Sequence, residues 1–138
     1  MMKILVVILT SVLTFTGEFL TPKQKISVTV NNIGNNDGKV FFMLFNKEAF
    51  MNRPIQSKSK KILNGTSFVT FKNLEKGEYS IICFHDKNNN RKMDVNNNGV
   101  PSETFGVSNN IITFGPPSFF STKFSVVKED VNLEIKFY

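Results

Sequence analysis

At residues 79–85 the sequence reads Tyr79-Ser-Ile-Ile-Cys-Phe-His85, a run in which nearly every side chain is apolar. Successive side chains of a β-strand point to opposite faces of a sheet. Both faces are apolar here: one carries Tyr79, Ile81, Cys83 and His85, and the other carries Ile82 and Phe84. A strand that is apolar on both faces belongs inside a sheet rather than at its edge. We therefore predict a central strand, and we place the rest of the chain around it.

Further strands are predicted where apolar residues alternate with polar ones or form short runs, at 25–30, 40–45, 66–71, 123–127 and 131–137. The turn signal Asn35-Asn-Asp-Gly38 predicts that the first two of these strands pair as a hairpin. The basic segment 56–64 is typical of a loop with an exposed edge strand. The count is about seven strands, with turns about every ten residues. This pattern predicts an all-β fold, specifically an antiparallel Greek-key sandwich.

Two features flank the central strand. Before it, Leu74-Glu-Lys-Gly-Glu-Tyr79 is typical of a corner in which Gly77 makes the turn and the Tyr79 hydroxyl bonds to backbone. After it, residues 95–121 show no alternation and are rich in Gly and Pro, which predicts one long loop. We expect the aromatic residues of this loop to form a small core of their own: Phe105, Phe114, Phe119 and Phe120.

The N-terminus reads as a secretory signal peptide. Met1-Met2-Lys3 is positively charged, residues 4–15 are mostly apolar, and small residues follow. The apolar run is too short to span a bilayer comfortably. We therefore predict a signal peptide over residues 1–17 and a single β-sandwich domain over residues 25–138. The protein is then extracytoplasmic, either periplasmic or secreted, with no stable membrane insertion after cleavage.

Charge and cysteine content narrow the range of partners. The chain has 17 Lys and Arg against 11 Asp and Glu, and the basic residues are scattered apart from Lys58, Lys60 and Lys61. A solvated surface explains this trio, and export removes the protein from nucleic acid, so we predict no nucleic-acid partner. Cys83 is the only cysteine, which predicts a buried thiol without an internal disulfide. We expect a monomer that meets an unidentified ligand or envelope partner.

The segment directly after the central strand, Asp86-Lys-Asn-Asn-Asn-Arg-Lys-Met-Asp94, has the spacing of a calcium loop. Oxygen-bearing side chains stand at its positions 1, 3, 5 and 9: Asp86, Asn88, Asn90 and Asp94. Lys92, at position 7, would contribute only its backbone carbonyl. Arg91 replaces the Gly that makes the turn, and Asn97 replaces the expected bidentate Glu. The alternative is an Asn-rich polar turn that needs no metal.

Several segments resemble the exported bacterial family called domain of unknown function 2141: Phe84-His-Asp86, residues 88–94, Gly99-Val-Pro-Ser-Glu103, Gly106-Val-Ser-Asn-Asn110 and Phe114-Gly-Pro-Pro-Ser-Phe119. The family is similar to prealbumin-like and carboxypeptidase-regulatory-like sandwiches, and no activity is assigned to it. The resemblance implies that Glu103 supplies the missing carboxylate to calcium, the alternative being a solvated loop residue. Where the family usually has Gly, this chain has Arg91. Where the family has acidic residues, this chain has Phe120 and Ser121, so any metal ligand from that position is lost here.

Two functions fit this pattern. The first is an exported, non-catalytic binding or structural module with a calcium-stabilised loop. The second is a secreted hydrolase in which Asp86 or Glu103 orients His85 as a general base. No nucleophile stands at a recognisable spacing, and Ser108 and Ser118 are candidates by residue type alone. The sequence therefore favours a protein that is not an enzyme, in which His85 bonds to loop carbonyls.

Overall fold

The computed structural model describes residues 22–112 and 114–138, so the predicted signal peptide lies outside the described residues. Eight strands follow in order: β1 Gln24–Val30, β2 Lys39–Phe45, β3 Gln56–Lys60, β4 Ser67–Leu74, β5 Gly77–Asp86, β6 Phe105–Val107, β7 Phe124–Val126 and β8 Val131–Ile135. A 3₁₀ turn at Ser108–Asn110 and a one-turn helix α1 at Phe119–Thr122 lie between β6 and β7. No helix among these residues is long and apolar enough to cross a membrane.

The strands form two sheets with the core between them. The smaller sheet has the order β4-β1-β8, and the larger has the order β3-β2-β5-β6, with β7 also paired to β5. In the described residues the β1–β8 ladder is parallel and the other named ladders are antiparallel. The prediction of an all-β sandwich is thus confirmed, with one more strand than expected and one parallel ladder in place of a purely antiparallel arrangement.

The predicted hairpin of the first two strands is wrong. β1 pairs with β4 and β8, whereas β2 pairs with β3 and β5, so the two consecutive strands lie in different sheets. The turn between them carries the chain across the sandwich. Gly38 there has a φ of 64°, and a side chain on it would collide with the backbone of Asp86 and Lys87. This glycine therefore lets the turn pass directly beside the start of the Asp/Asn-rich segment.

The predicted central position of β5 is confirmed. β2 lies along one edge of it, and β6 and β7 share the other edge. One face contributes Tyr79, Ile81 and Cys83 to the main core, and the other contributes Ile82 to a smaller cluster with Phe45 and Val107. Every residue of β5 from position 79 to position 86 is buried. The strand is therefore a rigid base from which the Asp/Asn-rich segment starts.

The predicted corner before β5 is also present. The Tyr79 hydroxyl donates a hydrogen bond to the backbone carbonyl of Glu75 at 2.8 Å. Burial, with the nearby charge of Glu75 as a lesser cause, raises the pKa of Tyr79 above its ordinary value. The contact ties the β4–β5 turn to the main core.

The predicted small aromatic core of the Gly/Pro-rich segment is wrong. Phe114 and Phe120 are exposed, whereas the Phe119 ring packs edge-on against Phe50 with centroids 5.6 Å apart. Phe105 packs against the smaller cluster instead. The segment does not fold on itself because it returns to the sheet: it contains β6, the 3₁₀ turn and α1.

Candidate functional site

We call residues 86–103 the acid–amide loop. Asp86 is the last residue of β5 and pairs with Lys39 of β2, which fixes one end of the loop. The other end is fixed where the backbone N–H of His85 donates to the carbonyl of Thr104 at 2.9 Å. The loop therefore leaves the sheet and returns to it at the same place, one residue before β6 begins.

The four side chains predicted at positions 1, 3, 5 and 9 form one hydrogen-bonded cluster. The amide nitrogens of Asn88 and Asn90 donate to the two carboxylate oxygens of Asp94, at 2.7 and 2.8 Å. The two carboxylate oxygens of Asp86 accept the backbone N–H groups of Asn90, at 3.0 Å, and Arg91, at 2.9 Å. The spacing in the sequence thus brings these groups into one hydrogen-bonded network.

Side-chain oxygens also shape the backbone of the loop. Asn88 Oδ1 accepts the N–H of Asn90 at 3.1 Å, and Asn90 Oδ1 accepts the N–H of Lys92 at 2.8 Å. Such local turns are a typical role of Asn. Arg91 has a φ of 62°, in the left-handed region where a non-glycine residue is strained. The strain expected from its position is therefore present.

Glu103 is part of the loop rather than a solvated residue. It is 7% exposed. Its Oε1 accepts the backbone N–H of Lys87 at 3.0 Å, and its Oε2 accepts that of Asp94 at 3.2 Å. One carboxylate therefore links the second and ninth positions of the loop. The role of Glu103 as a calcium ligand, which the family resemblance implies, stays a prediction.

The prediction did not include Asn96, which organises a second turn. Its Oδ1 accepts the N–H groups of Asn98 at 2.9 Å and Val100 at 3.1 Å. A signal for it exists in the sequence, because Asp94-Val-Asn-Asn-Asn-Gly99 repeats the spacing of Asp86-Lys-Asn-Asn-Asn-Arg91 eight residues later. The repeat has Gly99, with a φ of 75°, at the position that corresponds to Arg91. The two turns share Asp94.

The donor set of the acid–amide loop suits a hard cation, but only weakly. All of its side-chain donors are carboxylate or amide oxygens, which calcium prefers, and calcium takes six to eight of them. Within 22–112 and 114–138, however, no group of three His, Cys, Asp or Glu side chains is arranged to hold a metal ion. Amide and backbone oxygens would therefore have to complete the shell. The cluster is also satisfied internally, since both oxygens of Asp94 already accept amide N–H groups.

His85 is buried, and its imidazole is bonded to the backbone of the connection between β1 and β2. It is 2% exposed, and its Nε2 lies 2.6 Å from the carbonyl oxygen of Asp37. Since a carbonyl only accepts hydrogen bonds, Nε2 must carry the proton. The carboxylates of Asp86 and Glu103 bond to backbone N–H groups of the loop. These contacts favour the structural interpretation of His85 over that of an oriented general base.

The candidate nucleophiles are placed in structural roles. Ser108 is fully buried, and its hydroxyl accepts the N–H of Ile81 at 3.0 Å in the gap that β6 and β7 leave along β5. Ser118 caps α1 by accepting the N–H of Ser121 at 3.2 Å. Cys83 is buried as predicted, and burial raises the pKa of its thiol well above the usual range. None of these three groups contacts the acid–amide loop through a hydrogen bond found in the described residues.

Fold and site together define a small β-sandwich protein with a hydrogen-bonded acid–amide loop at the end of its central strand. The chain belongs to the family described as "Uncharacterized protein conserved in bacteria (DUF2141)", whose model matches residues 28–134. The match runs from within β1 to within β8 and includes the whole loop. The predicted family is therefore confirmed. Searches of the curated proteins and of the solved structures found no match.

Proposed function

We propose that this protein is an extracytoplasmic, non-catalytic binding or structural module of the bacterial envelope, with an acid–amide loop stabilised by calcium. One observation carries the proposal: Asn88 and Asn90 both reach the carboxylate of Asp94, while the carboxylate of Asp86 accepts the backbone N–H groups of Asn90 and Arg91. A loop that already gathers oxygen-bearing side chains at calcium-loop spacing would hold a cation once Asn88 and Asn90 turn their amide oxygens, in place of their NH₂ groups, toward it.

The proposed ligands are Asp86, Asn88, Asn90, Asp94 and Glu103, with the backbone carbonyl of Lys92 in addition. Calcium would neutralise the carboxylates of the loop and would cross-link its start and end. In the unfolded chain these groups are dispersed, so calcium would bind the native state preferentially and raise its stability. The low carboxylate content and the strain at Arg91 favour an affinity in the range of extracellular modules, about 10⁻⁴–10⁻³ M.

The experiment is thermal unfolding of the purified exported protein in chelator, in millimolar calcium and in millimolar magnesium. At about 10 mM calcium, stability rises by about 2.7 kcal/mol if the dissociation constant is about 10⁻⁴ M, and by about 1.4 kcal/mol if it is about 10⁻³ M. For a domain of this size these values correspond to a rise in melting temperature of about 8 °C or more and about 4 °C or more, respectively. Magnesium should do less, because it demands octahedral geometry and gives up water reluctantly.

Two variants control this measurement. Asp94→Asn removes one carboxylate from the cluster and should abolish the calcium-dependent rise. Glu129→Gln removes an exposed carboxylate between β7 and β8 and should leave that rise unchanged. Equal melting temperatures in chelator and in calcium would show that the loop is only an Asn-rich turn.

The non-catalytic part of the proposal is supported by the bond from His85 to Asp37 and by the burial of Ser108 and Cys83. A panel of ester, peptide and glycoside substrates should give no turnover above background. Turnover that is lost in His85→Ala, in a protein that still unfolds cooperatively, would instead support the hydrolase hypothesis.

A further inference from the structure

Two free sheet edges face each other on one side of the sandwich. β3 is an edge of the larger sheet and β4 is an edge of the smaller one. Between them lies an open groove of about 400 Å³, lined by Lys58, Ser59, Lys60, Phe68, Val69 and Thr70. We call this groove the β3–β4 groove. Side chains bridge it near its ends: Gln56 donates to the carbonyl of Lys72 at 3.0 Å, and Ser67 donates to that of Lys60 at 3.3 Å.

The β3–β4 groove carries positive charge that the chain does not neutralise. Lys58 pairs with Phe42 and Lys60 pairs with Val40, two fully buried residues, so both lysines lie on the core-facing side of β3, toward β4. Both are exposed. The ion pair found in the described residues joins Lys123 to Glu78, and none involves Lys58 or Lys60. Phe68, which is 49% exposed, adds an apolar surface beside them.

The charges on β3 determine what can pair with this edge. An edge strand presents backbone N–H and C=O groups to any extended chain. A second copy of this protein would bring its own lysines against Lys58 and Lys60, and like charges directly opposite each other destabilise a strand pair. An acidic chain would place opposite charges there. The edge therefore rejects self-association and remains open to an acidic strand.

We propose that the edge strand β3 binds an extended acidic peptide segment of a partner protein by strand addition. Alternate residues of any β-strand lie about 6.7 Å apart on one face, so Glu or Asp at every second position can stand opposite Lys58 and Lys60 together. Cross-strand charge pairs then select the acidic sequence. The bridging bond of Gln56 is an exposed side-chain contact that the incoming backbone can replace, whereas Ser67 is buried and its bond need not be broken. The proposal does not depend on calcium binding at the acid–amide loop.

The test uses three labelled seven-residue peptides and the purified exported protein. One alternates Thr and Glu, the second has the same composition with the Glu residues in one block, and the third alternates Thr and Lys. Fluorescence anisotropy should show that the alternating Glu peptide binds about tenfold more tightly than the block peptide, since only it matches the strand period. The Lys peptide should not bind. Hydrogen exchange measured by NMR should show protection of β3 amides in the complex, because strand addition bonds the edge backbone.

Charge-reversed variants separate local recognition from net charge. The double variant K58E/K60E should weaken binding of the alternating Glu peptide at least about tenfold and should gain binding of the Lys peptide. The control K128E/K136E makes the same change of net charge beside β8, at the opposite edge of the smaller sheet. It should change affinity for the Glu peptide much less.

Three results would overturn the proposal. The first is no binding of the alternating peptide at low salt. The second is that the block peptide, or a uronic acid polymer, binds as tightly as the alternating Glu peptide and no β3 amide is protected. That result would show a diffuse attraction of polyanions. The third is an equal loss of affinity in both double variants, which would show an effect of net charge alone.

Discussion

Replacement of Asp86 by Asn tests directly whether the acid–amide loop is built on this carboxylate. Asp86 is 2% exposed, and its two oxygens accept the N–H groups of Asn90 and Arg91 at 3.0 and 2.9 Å. Asn preserves the shape, but one oxygen becomes an NH₂ group that cannot accept a hydrogen bond. One hydrogen bond to a charged group is lost, and a backbone N–H keeps no acceptor. We expect the free energy of unfolding to fall by about 2–3 kcal/mol.

For a domain of this size the same loss corresponds to a fall in melting temperature of about 6–15 °C. The assay is urea unfolding followed by far-UV circular dichroism, in chelator so that no calcium contributes. The matched control is Asp130→Asn, since Asp130 is exposed and accepts one backbone N–H, that of Lys25, at 2.8 Å. The control should lose about 1 kcal/mol or less. If Asp86→Asn loses no more than Asp130→Asn, the loop does not depend on the Asp86 carboxylate.

Two further substitutions and one labelling experiment test other parts of the structure. Arg91→Gly relieves the strain of the left-handed backbone, so it should raise the free energy of unfolding by about 0.5–1 kcal/mol and tighten calcium binding. Thermal melting measures both effects. A loss of stability would show that the Arg91 side chain contributes more than its backbone strain costs. Tyr79→Phe removes one hydrogen bond and should lower the free energy of unfolding by about 1 kcal/mol. Burial raises the pKa of Tyr79 in the folded protein, so the protonated side chain contributes its full stability below about pH 10, and this stability is lost as pH rises through the folded pKa. Urea unfolding at a series of pH values should show that the free energy of unfolding falls less steeply with pH in the variant. The same pH dependence in both proteins would contradict this role of Tyr79. The Cys83 thiol should resist alkylation at pH 8 in native protein and react quickly in urea, because burial raises its pKa; fast native labelling would contradict its burial.

Alternation in the sequence identifies strands and their buried faces, but not their neighbours. The alternating residues of β1 predict a half-buried strand, and the structure buries every second one of them. The same pattern is compatible with any partner. β1 pairs with β4, and it pairs in parallel with β8 more than a hundred residues later, where Val28 stands opposite Leu133. A turn signal such as that ending at Gly38 predicts a change of direction, and whether the next strand returns to the same sheet depends on packing that no local pattern contains.

The phenylalanines show the same limit. Phe119 is buried because α1 turns it toward Phe50, while its neighbour Phe120 points away and lies under the ammonium group of Lys123 at 4.6 Å. In a segment without a helix or strand of several residues, the spacing of aromatic residues follows no regular period, so it does not distinguish buried from exposed positions. The proposed small core failed for this reason.

The acid–amide loop was more predictable because its contacts are local. The bonds from Asp86 to the N–H groups four and five residues later follow from the spacing alone. The position of Glu103 against the loop backbone does not follow from local spacing, because it depends on where β6 returns the chain. Asn96 could have been found from the repeat of the first turn, since its contacts are again local.

The hydrogen bonds within the loop explain why the proposed calcium affinity is low but still measurable. To bind a cation, the Asp94 carboxylate must exchange two amide N–H donors, from Asn88 and Asn90, for the ion. That exchange lowers the affinity relative to a carboxylate that faces water. In the other direction, Asp86 and Glu103 are already held by backbone N–H groups, so little conformational entropy remains to be lost when they act as ligands. The cation affinity is the difference between these two effects.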